Sequence, residues 1–246
     1  MDYVALSAWC FLVALGGGLV GLVLGNIRLP VVLLLATSPA AGAGANIGVS
    51  GVSAAAASIA HIRGGRINWP LFAWMAPPSI LGALAGGYLS GVLPGDVLLV
   101  VIAVVLYYSA FQLLRQREML ARASGPLDIR AAVFTGAMVG FLGGVVGLIL
   151  GSLRMPALIR FVGETPSRAV GTNVTVGFFV GLAGVVGHLP SGAPDWDLLA
   201  IGAAASIPGA LLGSRLTGRL SEEALLRAIA IVLIVAATSM VVQALT

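Results

Sequence analysis

Gly17-Gly18-Leu19-Val20-Gly21-Leu22-Val23-Leu24-Gly25-Asn26-Ile27-Arg28-Leu29-Pro30 returns as Gly143-Gly144-Val145-Val146-Gly147-Leu148-Ile149-Leu150-Gly151-Ser152-Leu153-Arg154-Met155-Pro156, an offset of 126 residues. After one inserted residue the offset becomes 127 and holds to the end of each half. Pro39 then falls on Pro166, Gly44 on Gly171, Asn46 on Asn173, His61 on His188, Trp69 on Trp196 and Ser79 on Ser206. A unit of this size, repeated in a strongly apolar chain, points to a membrane transporter with one site between two related halves.

Composition supports that reading. Hydrophobic residues make up 59% of the 246 residues and charged residues 9%. A soluble domain of this length cannot cover its surface with so few charges, so the remaining surface faces lipid. The net charge of +4 is spread over arginines at segment ends and forms no basic patch, which excludes a nucleic-acid binder. The 34 glycines suit close helix packing in lipid, within one protomer or between protomers of a homo-oligomer. Cys10 is the single cysteine, leaving no disulfide and no thiolate metal site. The stretch 4–24 lacks the basic start of a signal peptide and belongs to the repeat, so it is expected to be mature structure.

The predicted fold is an all-α, polytopic transmembrane bundle of two homologous halves, 1–114 and 131–246, joined by a linker over 115–130. Apolar stretches run over 4–24, 29–37, 40–60, 70–91 and 97–114, then over 131–150, 155–163, 168–188, 198–216 and 224–244. A spanning helix needs about 20 apolar residues, so 29–37 and 155–163 are too short to cross alone. Each follows a Gly-x-x-Arg-x-Pro break and precedes a second proline, Pro39 or Pro166. Proline removes a backbone donor, so each half is expected to hold a broken or re-entrant helix near 25–39 or 151–166. Irregular backbone at membrane depth survives only against protein or a watery cavity. The breaks are therefore the leading site candidates.

The linker carries four arginines and is expected to be cytoplasmic. Charge in matched loops is not matched. Arg63 and Arg66 follow His61, whereas Asp195 and Asp197 follow His188; Asp96 lies in one late loop, whereas Arg215 and Arg219 lie in its counterpart region. A parallel duplication puts matched loops on one side of the membrane, and an inverted one puts them on opposite sides. The charges favour inversion over the rival arrangement of eight plain helices in two parallel halves. Trp9, Trp69, Trp74, Tyr107, Tyr108 and Trp196 near segment ends read as an interfacial aromatic belt.

Arg28 and Arg154 are the sharpest pair. Each stands in its break, with Gly25 or Gly151 before it and Pro30 or Pro156 after it, and each proline suits the first turn of the following helix. A guanidinium beside a helix N-terminus is suited to an oxyanion, since free N–H groups, the positive dipole end and a planar fork of donors converge there. The competing reading has these arginines snorkelling to headgroups or bonding the carbonyls of the break. If the breaks face one another, both arginines are expected to converge on one small anionic substrate near mid-membrane. Asn46 and Asn173, with Thr172, are expected to complete the site with neutral donors, or else to bond between helices. His61, His188 and Glu164 are the candidates for proton coupling; an interfacial position is the plainer account of both histidines. Gly48-Val49-Ser50-Gly51 matches a Gly-x-Ser-Gly protease element that needs a histidine partner, for which His188 is the candidate, but the second half reads Thr175-Val176-Gly177-Phe178 at that place.

The duplicated Gly-rich segment, the proline after it, the Ala/Gly-x-Asn stretch and the His61-x-Arg63-x-x-Arg66-Ile67-Asn68-Trp69 loop resemble the TauE/SafE family, over about residues 8–244. The resemblance implies a multi-pass protein of a bacterial or archaeal cell membrane. It implies a secondary carrier that exports sulfite, organosulfonates or similar sulfur-containing anions without ATP, cofactor or metal. An anion channel, a carrier of another small anion, an intramembrane protease acting through Ser50 and a scaffold without flux are the alternatives.

Overall fold

The computed structural model describes residues 3–20, 23–114, 128–160, 162, 164, 166–191, 193–215 and nine positions between 231 and 245. Those residues are helical or connecting, with no strand among them. The helices are α1 (Tyr3–Val20), α2 (Gly25–Leu35), α3 (Pro39–Arg63), α4 (Trp69–Val92) and α5 (Gly95–Leu114) in the first half. The second half has α6 (Ile129–Val146), α7 (Gly151–Arg160), α8 (Pro166–His188), a 3-10 turn at Leu189–Ser191 and α9 (Trp196–Arg215). The positions described between 231 and 245 are helical. Among the described residues, Pro39–Arg63, Ile129–Val146, Arg168–His188 and Trp196–Gly213 are long and apolar enough to cross a membrane. Most of the linker, 115–127, lies outside the described residues, and with it the expectation of a cytoplasmic loop there.

Local sequence explains several element ends. Asn68 caps α4, its Oδ1 accepting from the Leu71 N–H at 3.1 Å, and Asp128 caps α6 in the same way through Ala131 at 3.0 Å. Gly147 ends α6 in the left-handed conformation, with φ of 72°, and its N–H returns to the Gly143 carbonyl. The chain 148–150 is then non-helical. The second half thus breaks where the repeat places it. In the first half, 23–24 are likewise non-helical, and the start of that break lies outside the described residues.

At 11 and 10 residues, α2 and α7 are about 15 Å long and reach half of a hydrocarbon core of about 30 Å. One expectation needs correction. Pro30 and Pro156 do not open their helices: α2 starts at Gly25 and α7 at Gly151, so each proline is the sixth helical residue. Both helices begin early because leucine carbonyls next to the break accept the first bonds, Ile27 N–H to Leu24 at 3.1 Å and Arg154 N–H to Leu150 at 3.0 Å. Each arginine is thereby drawn into the first turn of a buried helix.

Glycine seams hold the bundle together. α4 packs on α6 and α1 on α9, and these are repeat-equivalent pairs. In the first, Gly136 faces Met75, Gly140 faces Ser79, and Gly144 faces Ala83 and Gly87, so the two helices run parallel. In the second, Gly202 faces Cys10, Gly209 faces Phe11 and Leu15, and Gly213 faces Leu15 and Gly18, again parallel. The central pair, α3 and α8, behaves differently. Gly44 meets His188, Gly48 meets Val185, Gly51 meets Gly181 and Ala54 meets Gly177, so these two equivalent helices run antiparallel. α3 also packs on α9 as α8 packs on α4. Every main contact between the halves therefore occurs twice or maps onto itself. The large aromatic side chains Trp69, Trp74, Trp196 and Tyr108 lie exposed on the outside, as an aromatic belt requires.

The α3–α8 crossing admits no side chain at its centre. A Cβ on Gly181 would lie inside contact distance of the Gly51 Cα and within 2.9 Å of its backbone nitrogen. Gly181→Val is expected to force the helices apart at a cost of at least about 1–3 kcal/mol, lowering the melting temperature of the detergent-purified protein. Gly95→Ala, where the nearest atom is Pro39 Cγ at 3.7 Å, is expected to leave it unchanged.

Candidate functional site

Asn46 of α3 bonds both breaks, and its match Asn173 of α8 lies beside the second. Asn46 Nδ2 donates to the Gly25 carbonyl at 3.2 Å and, across the halves, to the Gly147 carbonyl at 2.8 Å. The matched Asn173 lies against Gly151, where a Cβ would approach its Nδ2 to 3.0 Å. Gly147 and Gly151 are four residues apart, a step of about 14 Å at most. The 147–151 segment therefore runs from beside Asn46 to beside Asn173, and the two Arg–Asn clusters flank it in the middle of the bundle.

Arg28 and Arg154 are among the largest fully buried side chains, at 1% and 0% exposure. That rules out the snorkelling arrangement. Their surroundings differ. Arg28 Nε donates to Asn46 Oδ1 at 2.9 Å, and Nη2 donates to Ser50 Oγ at 2.5 Å and to the Asn46 carbonyl at 3.2 Å. Its Nη1 reaches Ser206 Oγ at 3.5 Å. Arg154 Nη1 donates to Asn173 Oδ1 at 3.3 Å, while its Nε and Nη2 find no acceptor among the described residues. All of these partners are neutral. In α3 the residue one turn beyond Asn46 is Ser50; the position matched to it in α8 is Gly177, which has no hydroxyl to offer. Ser79, matched to Ser206, bonds the Met75 carbonyl of its own helix at 2.8 Å.

Other expected site residues are distributed as follows. Asn46 is not a spare donor: its amide is used by two carbonyls and its oxygen by Arg28. Thr172 turns away from Asn173, its Oγ1 accepting from the Asn68 N–H at 3.0 Å. Glu164, 4% exposed, accepts from Asn68 Nδ2 at the start of α4. Thr172, Glu164 and Asn68 thus form a second buried cluster, tying the loop after α3 to the second half. His188 is buried and its Nε2 pairs with the Gly144 carbonyl at 3.1 Å, while His61 is half-buried near the end of α3. Neither histidine is bonded to an arginine of the breaks. The Ser50–His188 pair that a protease needs is not formed, because Ser50 is bonded to Arg28 and His188 to Gly144. Pro30 is half-buried within α2, and Pro156 contributes to the α7 backbone. Sequence reasoning missed Ser50 as an arginine ligand and Asn68 as a buried partner.

The family model "Sulfite exporter TauE/SafE" matches residues 6–240. The chain belongs to this family. Similar proteins, all from Bacillus subtilis (strain 168), are "Probable membrane transporter protein YunE", 35% identical over 35% of this chain and 30% of its own length; "Probable membrane transporter protein YtnM", 27% identical over 57% and 48%; and "Probable membrane transporter protein YjnA", 32% identical over 41% and 40%. The matches thus span less than half the length of each of these relatives. No solved structure matches the chain. Family and helices together fit a multi-pass membrane protein of the TauE/SafE family.

Asn46 serves Arg28 and both breaks at once. Asn46→Leu, close in volume but without the amide, leaves a buried guanidinium N–H and two carbonyls unsatisfied. Each such group costs about 1–3 kcal/mol, so this variant is expected to lose far more thermal stability than Ser50→Ala, which removes one of the two Nη2 partners. Equal melting temperatures for the two variants would contradict the network.

Proposed function

We propose that this chain is a secondary carrier exporting sulfite, an organosulfonate or a similar small sulfur-containing anion across the cell membrane of a bacterium or archaeon. The anion sits between two inverted halves, at the matched breaks. One observation carries the reading: two arginines, fully buried at matched helix breaks, are bonded among the described residues only to neutral groups. A charge held in a low-dielectric interior without a counter-charge is costly, and a small anion offsets that cost. The N-terminal turns of α2 and α7 add their positive dipole ends to the same region. The family description supplies the substrate class, since its name speaks of sulfite.

The antiparallel register of α3 and α8, together with the parallel register of α4 with α6 and of α1 with α9, supports inversion. Two equivalent helices that cross antiparallel are exchanged by an axis lying across them, in the plane of the membrane. Alternate access in such a fold is a rocking of one half against the other around a fixed site. The loop charges point the same way: Arg63 and Arg66 stand in one loop and Asp195 in its match.

Two measurements test the reading. In proteoliposomes loaded with sulfite, thiosulfate, sulfoacetate or sulfate, saturable efflux of at least one of them without unitary conductance is expected. Stepwise currents would favour a channel, and no flux of any anion would sink the transport reading. Single cysteines placed at Gly64 and Pro190 on a Cys10→Ala background are expected to label from opposite faces of the membrane. Labelling from one face would sink inversion.

A further inference from the structure

The halves match in sequence, but their arginines differ in what they have left to give. In a guanidinium, Nε–H and one N–H of Nη2 point along the same edge and make a two-pronged fork. In Arg28 this edge is filled by the protein: Nε meets Asn46 Oδ1 at 2.9 Å and Nη2 meets Ser50 Oγ at 2.5 Å. In Arg154, 0% exposed, the same edge finds no acceptor among the described residues, where Nη1 alone is held, by Asn173. The residue matched to Ser50 is Gly177. The geometry points to a single anion site that is asymmetric: a bidentate oxyanion on the Nε/Nη2 edge of Arg154, whose two oxygens take the places that Asn46 Oδ1 and Ser50 Oγ take around Arg28.

This rests on the carrier reading and sharpens it. Arg28 is a positioning residue, a fixed strut that joins α2 to α3 and, through Ser206, to α9. Arg154 is the ligating group. A fork edge selects ligands with two equivalent oxygens on one atom, as in sulfite, a sulfonate or a carboxylate, and discriminates against a monatomic halide of the same charge. An arginine buried to this depth with at least three of its five N–H donors unmatched among the described residues is far from a resting structural role, since a buried donor without acceptor is costly. Asn173 fixes the guanidinium plane from the Nη1 side and leaves the fork edge open. Gly177 has no hydroxyl to offer that edge, and Ile149 packs against the place its side chain would take.

The test is binding of sulfite and methanesulfonate to detergent-purified, monodisperse protein, with chloride as the halide probe and melting temperature read alongside. Wild type is expected to bind an oxyanion that chloride does not displace at equal concentration. Arg154→Lys keeps the charge and loses the fork, so affinity is expected to fall roughly tenfold to a hundredfold, the loss of one charge-assisted hydrogen bond or more. Because that variant can disturb packing, a second one supplies the missing acceptor instead. A Cβ on Gly177 would lie 2.8 Å from Ile149 Cγ2, so Gly177→Ser is made together with Ile149→Ala. This double variant is expected to gain thermal stability over Ile149→Ala alone and to lose affinity about tenfold. Unchanged affinity in Arg154→Lys, or in the double variant relative to Ile149→Ala, overturns the asymmetric site. Acetate binding with the predicted Arg154 dependence, where neither sulfite nor methanesulfonate binds, upholds this site while refuting the sulfur-anion assignment. Binding lost on Arg28→Lys but retained on Arg154→Lys refutes this site and leaves the carrier reading standing.

Discussion

One side-chain amide, that of Asn46, carries the centre of this protein. Backbone that leaves a helix inside a membrane has no water to satisfy it, so its carbonyls need partners from the protein. Asn46 Nδ2 serves one carbonyl from each break, Gly25 and Gly147, while its Oδ1 orients Arg28. The same residue thus joins the halves, closes the first break and fixes a charge. The breaks persist because α3 and α8, long and mostly buried, present these asparagines at the right height.

That arrangement requires the helices to come very close. Glycine provides it along three seams, α1–α9, α4–α6 and α3–α8. Helix association in lipid has little hydrophobic drive and rests on packing and on interhelical hydrogen bonds. Small residues let backbones touch, and the buried polar residues Asn46, Ser50, Asn68, Asn173 and Thr172 do the bonding. The polar residues are clustered in two places, at the arginines and at the Glu164–Asn68–Thr172 junction. The first carries positive charge in the interior, where charge serves function. The second braces the loop after α3 against the second half.

Duplication made two copies of this machinery, and small changes have separated their surroundings. Ser50 against Gly177 is a difference of one hydroxymethyl group. Ser206 reaches Arg28, whereas its match Ser79 bonds within its own helix. A carrier with two related halves need not use both halves alike: one can anchor while the other binds.

Much of this was legible in the residues. The repeat follows from identities at fixed offsets. Low charge and apolar length give a helical membrane bundle, and Gly-x-x-Arg-x-Pro marks the breaks, because proline and glycine act on local backbone. Pro30 and Pro156 suggest later starts for α2 and α7 than the structure has, since proline is tolerated at the sixth position when buried neighbours hold the helix. Ser50 drew attention as part of a Gly-x-Ser-Gly element, and nothing in the linear chain said that its hydroxyl faces Arg28. Burial of the arginines, the turning of Thr172 toward Asn68 and the separation of Ser50 from His188 depend on which helix faces which, across more than a hundred residues of chain. The sequence by itself therefore determined the class of fold, the duplicated unit and the identity of the buried cations. Only the tertiary structure decided which cation is satisfied, because hydrogen-bond saturation depends on neighbours brought together by packing and not on spacing along the chain.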